Sequence, residues 1–255
     1  ALKTRVYLSK GEFDKVRTEA EKIVPQSVAP FSATTGVKHA LQESIATIFS
    51  SNYTTTESIL SLPMTASDLP SGTALSSIYY TAPDFVLNSD TKGIISNTEW
   101  KGTDARRAFV KYDQTLSLYL LAKYTKTNPA IDYIPVIRYA EVLLNYSEAE
   151  ARDSGGSLSK AVALLEAVRK RSDATYTFPA QALTQAEILN TIRTERRIEL
   201  LGEGLRNNDI LRDLLTFPTK PSLSSLTPRE VKPTDQGYIF PIPNTEILTN
   251  KAIND

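Results

Sequence analysis

The sequence predicts a mainly α protein: TPR-like helical hairpins forming a superhelical scaffold, with a loop-rich region containing short β-strands. Two stretches, 1–24 and 136–171, repeat apolar residues at three-to-four spacing on either side of a turn, as paired helices do. A third stretch, Thr184 to Asp213, opens like a capped helix and is dense in arginine and glutamate. Between the first two, residues 26–132 are rich in Ser, Thr and Pro and carry no long period.

Leu2, Val6 and Tyr7 line the first expected helix, Gly11 makes the turn, and Phe13, Val16, Ala20 and Ile23 line the second until Pro25 stops it. In the loop-rich region, Gln42 to Phe49 reads as a short helix and Ser58 to Met64 as a strand. Arg107–Tyr112 and Leu116–Tyr124 read as a hairpin around Asp113 and Gln114. In the second helix pair, Ala140, Leu143, Leu144 and Ser147 face Ala161, Leu164, Leu165 and Val168 across a turn at 153–156. Small residues at such a crossing suit a tetratricopeptide-type pair, and stacks of that kind normally need about three repeats. Only two clear pairs are legible, so the helices from residue 184, or further repeats outside this sequence, must complete the stack.

Thr184 and Glu187 have the spacing of a capping box, and Ile188, Ile192, Leu200 and Leu201 form the apolar stripe behind it. Gly202 and Gly204 end that helix, and Asn208 or Asp209 can cap the next. The charges alongside are expected to satisfy one another as a structural ion network made of Arg138, Arg196, Glu199, Glu203, Arg206 and Asp209. Residues 217–236, with four prolines, read as a loop, and 237–243 as an extended tail that packs back on the scaffold.

Composition narrows the function. With 29 basic and 29 acidic residues the formal charge is zero, which gives no electrostatic case for nucleic acid. There is no cysteine, and the single histidine, His39, cannot form a paired-histidine metal motif. No phosphate-binding loop, dinucleotide fingerprint or nucleophile elbow occurs, so no catalytic residue and no cofactor is assigned. Asn88, Asp90, Lys92, Gly93, Ile95 and Glu99 have EF-hand-like spacing. However, Lys92 puts a cation where an oxygen ligand belongs, and an ordinary turn is expected there. Glu141, Glu148 and Glu150 read as helix-surface or helix-to-helix pairs. Asp104 and Arg106, next to Arg107, read as a turn-stabilising salt bridge. The candidate ligand-binding residues are Trp100, Tyr79, Tyr80 and Tyr53, aromatic rings in polar, turn-rich context where a flat face can stack on sugar C–H groups or peptide side chains. The opening ALKTRVYL lies inside a helical pattern, without signal run or lipidation cysteine, and reads as an internal start.

Three segments carry a resemblance. ERRIELLGEGLRNNDILR (195–212) is similar to the signature of the SusD/RagB family, YIPVIRYAEVLLNYSEAEA (133–151) to one of its helices, and YIFPIPNTEILTNKAIND (238–255) to its ending. Gly202 stands where the family usually has Phe, Asn207 and Asn208 where aromatics are common, and Lys251 where Pro is usual. The resemblance implies a SusD-like domain over 1–255: a hairpin at 1–25, a loop-rich segment at 26–132, a second hairpin with signature helices at 133–216, and a C-terminal loop and tail at 217–255. It further implies a surface-exposed outer-membrane lipoprotein held by an N-terminal lipid anchor not present in this chain. Such a protein would bind oligosaccharide without catalysis or cofactor and pass it to a SusC-like TonB-dependent transporter. The alternative is a peptide-binding or protein–protein interaction module on the same scaffold.

Overall fold

The computed structural model describes residues 1–50, 52–70, 73–178, 183–220 and 229–254. The first hairpin is α1 (Leu2–Lys10) and α2 (Phe13–Glu21), joined at Gly11, whose φ of 71° needs a residue without Cβ strain. After it come α3 (Ile45–Ser50) and β1 (Ser58–Leu62), then β2 (Val110–Asp113) and β3 (Leu118–Leu121). The chain continues as β4 (Ile134–Arg138), which runs straight into α4 (Tyr139–Arg152) and α5 (Leu158–Ser172). Next are α6 (Gln185–Glu199) and α7 (Arg206–Arg212), and α8 (Asn244–Thr249) lies near the C-terminus.

α4 is the hub. It packs against α1, α2, α5 and α6, and every residue from Tyr139 to Ala151 is buried. Val142, Leu143, Leu144 and Tyr146 meet Ala161, Leu164, Leu165 and Val168 of α5, with Ile188 and Ile192 of α6 closing the same core. A helix buried on all sides must have its polar groups answered from neighbours, since each unanswered one costs about 1–3 kcal/mol. Its acids are indeed met. Glu141 accepts from Arg5 of α1 at 2.7 Å, Glu148 from Arg152 of its own last turn and from Arg212 of α7, and Glu150 pairs with Arg17 of α2 at 3.3 Å. Apart from Glu148–Arg152 within α4, these are helix-to-helix pairs, with the carboxylates buried and Arg5, Arg17 and Arg152 partly exposed.

Those contacts also correct the expected facing of α1. Leu2 and Val6 are 60% and 47% exposed, while Thr4 and Leu8 are buried. Arg5 reaching Glu141, and Thr4 accepting from Asn145 at 3.1 Å, set the rotation of the helix. An apolar surface on the first hairpin therefore remains open, as the shortage of helix pairs predicts.

Two small antiparallel sheets flank the helices. β2 pairs with β3 in continuous register from Val110↔Leu121 to Asp113↔Leu118. The expected hairpin is present, with its turn at 114–117 rather than at 113–114, and with Ser117 at a φ of 56°. β1 pairs with β4, Ser58 opposite Arg138. Residues 136–138, expected at the start of a helix, are strand: Val136 and Ile137 are β-branched, and β1 supplies the ladder.

α6 carries the complete capping box: the Glu187 amide donates to Thr184 Oγ1 at 3.3 Å, and the Thr184 amide donates to Glu187 Oε2 at 2.8 Å. Gly202 and Gly204, with φ of 76° and 78°, turn the chain into α7. α7 starts three or four residues earlier than expected, so Asn208 and Asp209 lie within it, and Leu205 occupies the cap position. In the tail only Tyr238 docks, its hydroxyl donating to the Leu215 carbonyl at 2.7 Å. Ile239 and Phe240 are 73% and 93% exposed, which corrects the expectation of a tail laid on the scaffold. Of the loop expected at 217–236, residues 221–228 lie outside the described residues, and Phe217 bridges Val231.

Candidate functional site

Strand register builds the charge cluster. Because Ser58 faces Arg138, Glu57 is brought against the strand-to-helix junction, where its carbonyl accepts the Tyr139 amide at 2.8 Å. Arg138 then donates to Glu57, to Glu199 at 2.8 Å and to Glu203 at 2.8 Å. Arg171 of α5 bridges the same Glu57 and Glu199 at 2.8 and 2.6 Å. On the other side, Arg106 joins Asp104 at 2.7 Å, Glu199 at 2.9 Å and Glu195, which also takes Arg169. Lys123 reaches Glu203 at 2.6 Å. Five cations and five carboxylates thus meet with no side chain more than 4% exposed.

Burial by itself would raise the Glu199 carboxyl. Arg171, Arg138 and Arg106 outweigh it and hold the group well below the ordinary carboxylate range. Burial likewise opposes ionisation of Glu203, and Arg138 with Lys123 hold it down. A neutral cluster with no side chain more than 4% exposed leaves no room for a substrate. It joins the loop region (Glu57, Asp104, Arg106, Lys123) to the end of β4, α5 and α6.

Arg196 belongs elsewhere. Although it sits three residues before Glu199, it turns away to Asp209 at 3.0 Å and to Asn145 of α4 at 2.7 Å. Arg206 joins neither cluster: among the described residues it makes no ion pair within 4 Å, which corrects its expected place in the network. It starts α7, two residues past the Gly202–Gly204 turn, and there lines a cleft of about 440 Å³.

That cleft lies between residues 79–94 and the α6–α7 junction, with Pro218 and Lys220 also on its lining. Tyr79 belongs to a π-helical turn, Ser77–Thr81. It stacks on Tyr124 with centroids 6.0 Å apart and planes at 28°, and it meets Phe85 at 5.8 Å. Phe85 is 59% exposed. Leu200, Leu201 and Ile210 supply apolar surface, and Asn88 and Asn207 supply amides.

Of the four aromatic residues expected at a site, only Tyr79 lines this cleft. Tyr80 is half-buried, and Tyr53 is exposed and edge-on to Tyr133 at 6.5 Å, both away from it. Trp100 is a correction: it is 2% exposed, packed with Ile94 and Ile198 and covered by the Arg107 guanidinium at 4.3 Å, so it presents no platform to solvent. Phe85 was not singled out from the sequence, although Pro83-Asp84-Phe85 has the same polar, turn-rich context as Tyr79. The EF-hand-like stretch is a turn. The Asp90 carboxylate accepts the amides of Lys92 and Gly93 at 2.7 and 3.0 Å, and the Lys92 ammonium goes to Glu230 at 2.7 Å. Asp104 and Arg106 form the expected salt bridge, and Asp104 also caps the 3₁₀ turn Ala105–Phe109.

Comparison with known proteins agrees with this architecture. A SusD-like protein, P2, from Formosa agariphila is 35% identical over 127 residues, which is 48% of this chain and 25% of that protein. A SusD superfamily crystal structure from Bacteroides fragilis superposes over 100% of this chain and 55% of its own, with 33% identity and a TM-score of 0.80. One from Bacteroides thetaiotaomicron covers 98% and 57%, with 25% identity and a TM-score of 0.76. The chain therefore spans about a quarter of the curated relative and about half of the solved chains. The model of the SusD family matches residues 88–255, which takes in the buried charge cluster apart from Glu57, the α6–α7 turn and most of the cleft lining, though not Tyr79 or Phe85. On that match, and on the scaffold it shares with those structures, the chain belongs to the SusD family.

Proposed function

We propose that the chain is part of a surface protein that captures oligosaccharide without catalysis and passes it to a SusC-like TonB-dependent transporter in the outer membrane. One observation carries the reading: the 440 Å³ cleft lined by the exposed ring of Phe85, by Tyr79 packed against it, and by the Asn207 amide. Stacked rings take the C–H face of a sugar while neighbouring amides take its hydroxyls. Family membership supports it. A more distant neighbour, 18% identical, is described as a surface glycan-binding protein in complex with laminarihexaose, a likeness that carries the fold alone. Among the described residues no helix is long and apolar enough to cross a membrane. Attachment to the membrane through an N-terminal lipid is part of the same proposal.

The test is a glycan array followed by titration calorimetry, with Tyr79→Ala and Phe85→Ala beside the parent. Each variant should bind the selected glycan at least about tenfold more weakly, some 1.4 kcal/mol. Unchanged affinity in both would remove the cleft from the site. A second reading, peptide capture, has support in the amide and guanidinium groups that α6 and α7 place at the same cleft. A peptide panel in parallel separates the two.

A further inference from the structure

Charge at the cleft is one-sided in a molecule that is neutral overall. Five of its lining residues are basic and two acidic. The partners of each decide what is left for a ligand. Asp209 is held by Arg196 and Arg212, so neither that carboxylate nor Arg196 is available. Lys92 is paired with Glu230. Arg197 donates one N–H to the Lys92 carbonyl at 2.9 Å and makes no ion pair among the described residues. Arg206 has neither an ion pair nor a hydrogen bond there, and Lys220 is exposed and without an ion pair. Asp84 is the acidic lining residue without an ion pair among the described residues, and Asp209 and Asp213 only partly offset the burial of Arg206.

Burial pulls Arg206 down to about 10, and Arg197 adds to the effect. The guanidinium is still charged at neutral pH, and two neighbouring cations in part-buried surroundings are disfavoured unless an anion joins them. Among the described residues the fully buried guanidinium groups of Arg106, Arg138, Arg169 and Arg196 are each matched by a carboxylate, and half-buried Arg107 is answered by two carbonyls and the Trp100 ring; Arg206 has no such partner. The exception falls at an open cleft beside aromatic rings.

We infer that the cleft selects a saccharide bearing an anionic group, a uronate carboxylate or a sulfate ester, with Arg206 and Arg197 clamping that group while Tyr79 and Phe85 take the ring. This rests on the oligosaccharide reading above and narrows it to a substrate class. The fork of a guanidinium matches the paired oxygens of either anion.

The test titrates the full chain with hexagalacturonate, with the same hexamer methyl-esterified, and with a sulfated hexasaccharide, each at 50 and 300 mM salt. The expected result is at least tenfold preference for one charged probe over the neutral ester, weakening with salt. Arg206→Gln should abolish that preference and Arg206→Lys retain part of it; Arg197→Gln, checked for native circular dichroism, should reduce it. If the charged probe prefers carboxylate, the site is for uronates; if sulfate, for sulfate esters. Equal binding of charged and neutral hexamers, or a preference untouched in Arg206→Gln and Arg197→Gln alike, overturns the inference and leaves oligosaccharide capture standing. Binding of none of these hexamers, with no hit on the glycan array, overturns both, as does binding of acidic peptides alone.

Discussion

Glu199 accepts from three guanidinium groups at once: Oε1 from Arg138 and Arg171, Oε2 from Arg106. None of these side chains is more than 4% exposed, so the charge of Glu199 is what keeps three buried cations tolerable. Glu199→Gln keeps the shape and removes the charge. It should cost about 3–5 kcal/mol, the range for breaking a buried pair, read as a fall in urea midpoint with unchanged slope. A loss under about 1 kcal/mol would mean the cluster is not a structural tie. At this scale the sequence was half legible. The density of charge near residue 200 and its closure onto itself could be expected from spacing. Which carboxylate meets which arginine could not, because Glu57, Asp104 and Lys123 arrive from remote segments. Arg206 escaped for the same reason. It was expected in the same network as Asp209, but the Asp209 carboxylate is already shared by Arg196 and Arg212. Trp100 shows the opposite failure: a polar neighbourhood in sequence became a lid made by Arg107 in space.

Helices were easier to read than strands because their pattern is local. The capping box of α6 was visible as Thr184 and Glu187 alone, and both of its reciprocal bonds are present. Thr184→Ala should cost about 0.5–2 kcal/mol. Thermal melts and amide exchange at the first turn of α6 would check it, and unchanged exchange there would show the cap to be idle. By contrast, β4 was hidden by its partner, since β1 lies more than seventy residues earlier and the ladder exists only after the loop region folds back. The rotation of α1 was also illegible. Its apolar residues suggested one face, but the polar contacts of Thr4 and Arg5 with α4 chose another.

Across the whole molecule, acid should be the condition that finds the weak point. Glu199, Glu203 and Asp209 all have carboxyls held below their ordinary values in the fold. Groups depressed in this way add stability at pH above their unfolded values, roughly 3.9–4.3, and lose it as pH falls toward the folded values. In that interval the unfolded chain binds more protons, so stability drops with pH. Melting temperature should be level from pH 7 to about 5 and fall steeply below about 4; a level profile down to pH 3 would contradict the cluster's role. The same buried cluster has a longer consequence. It fastens the irregular region at a few widely separated points, namely residue 57, residues 104–106 and residue 123. Surface segments strung between fixed anchors can lengthen or change composition at little thermodynamic cost. Descendants of such a chain could therefore acquire new appetites by rewriting the spans between rivets, with the frame beneath left as it is.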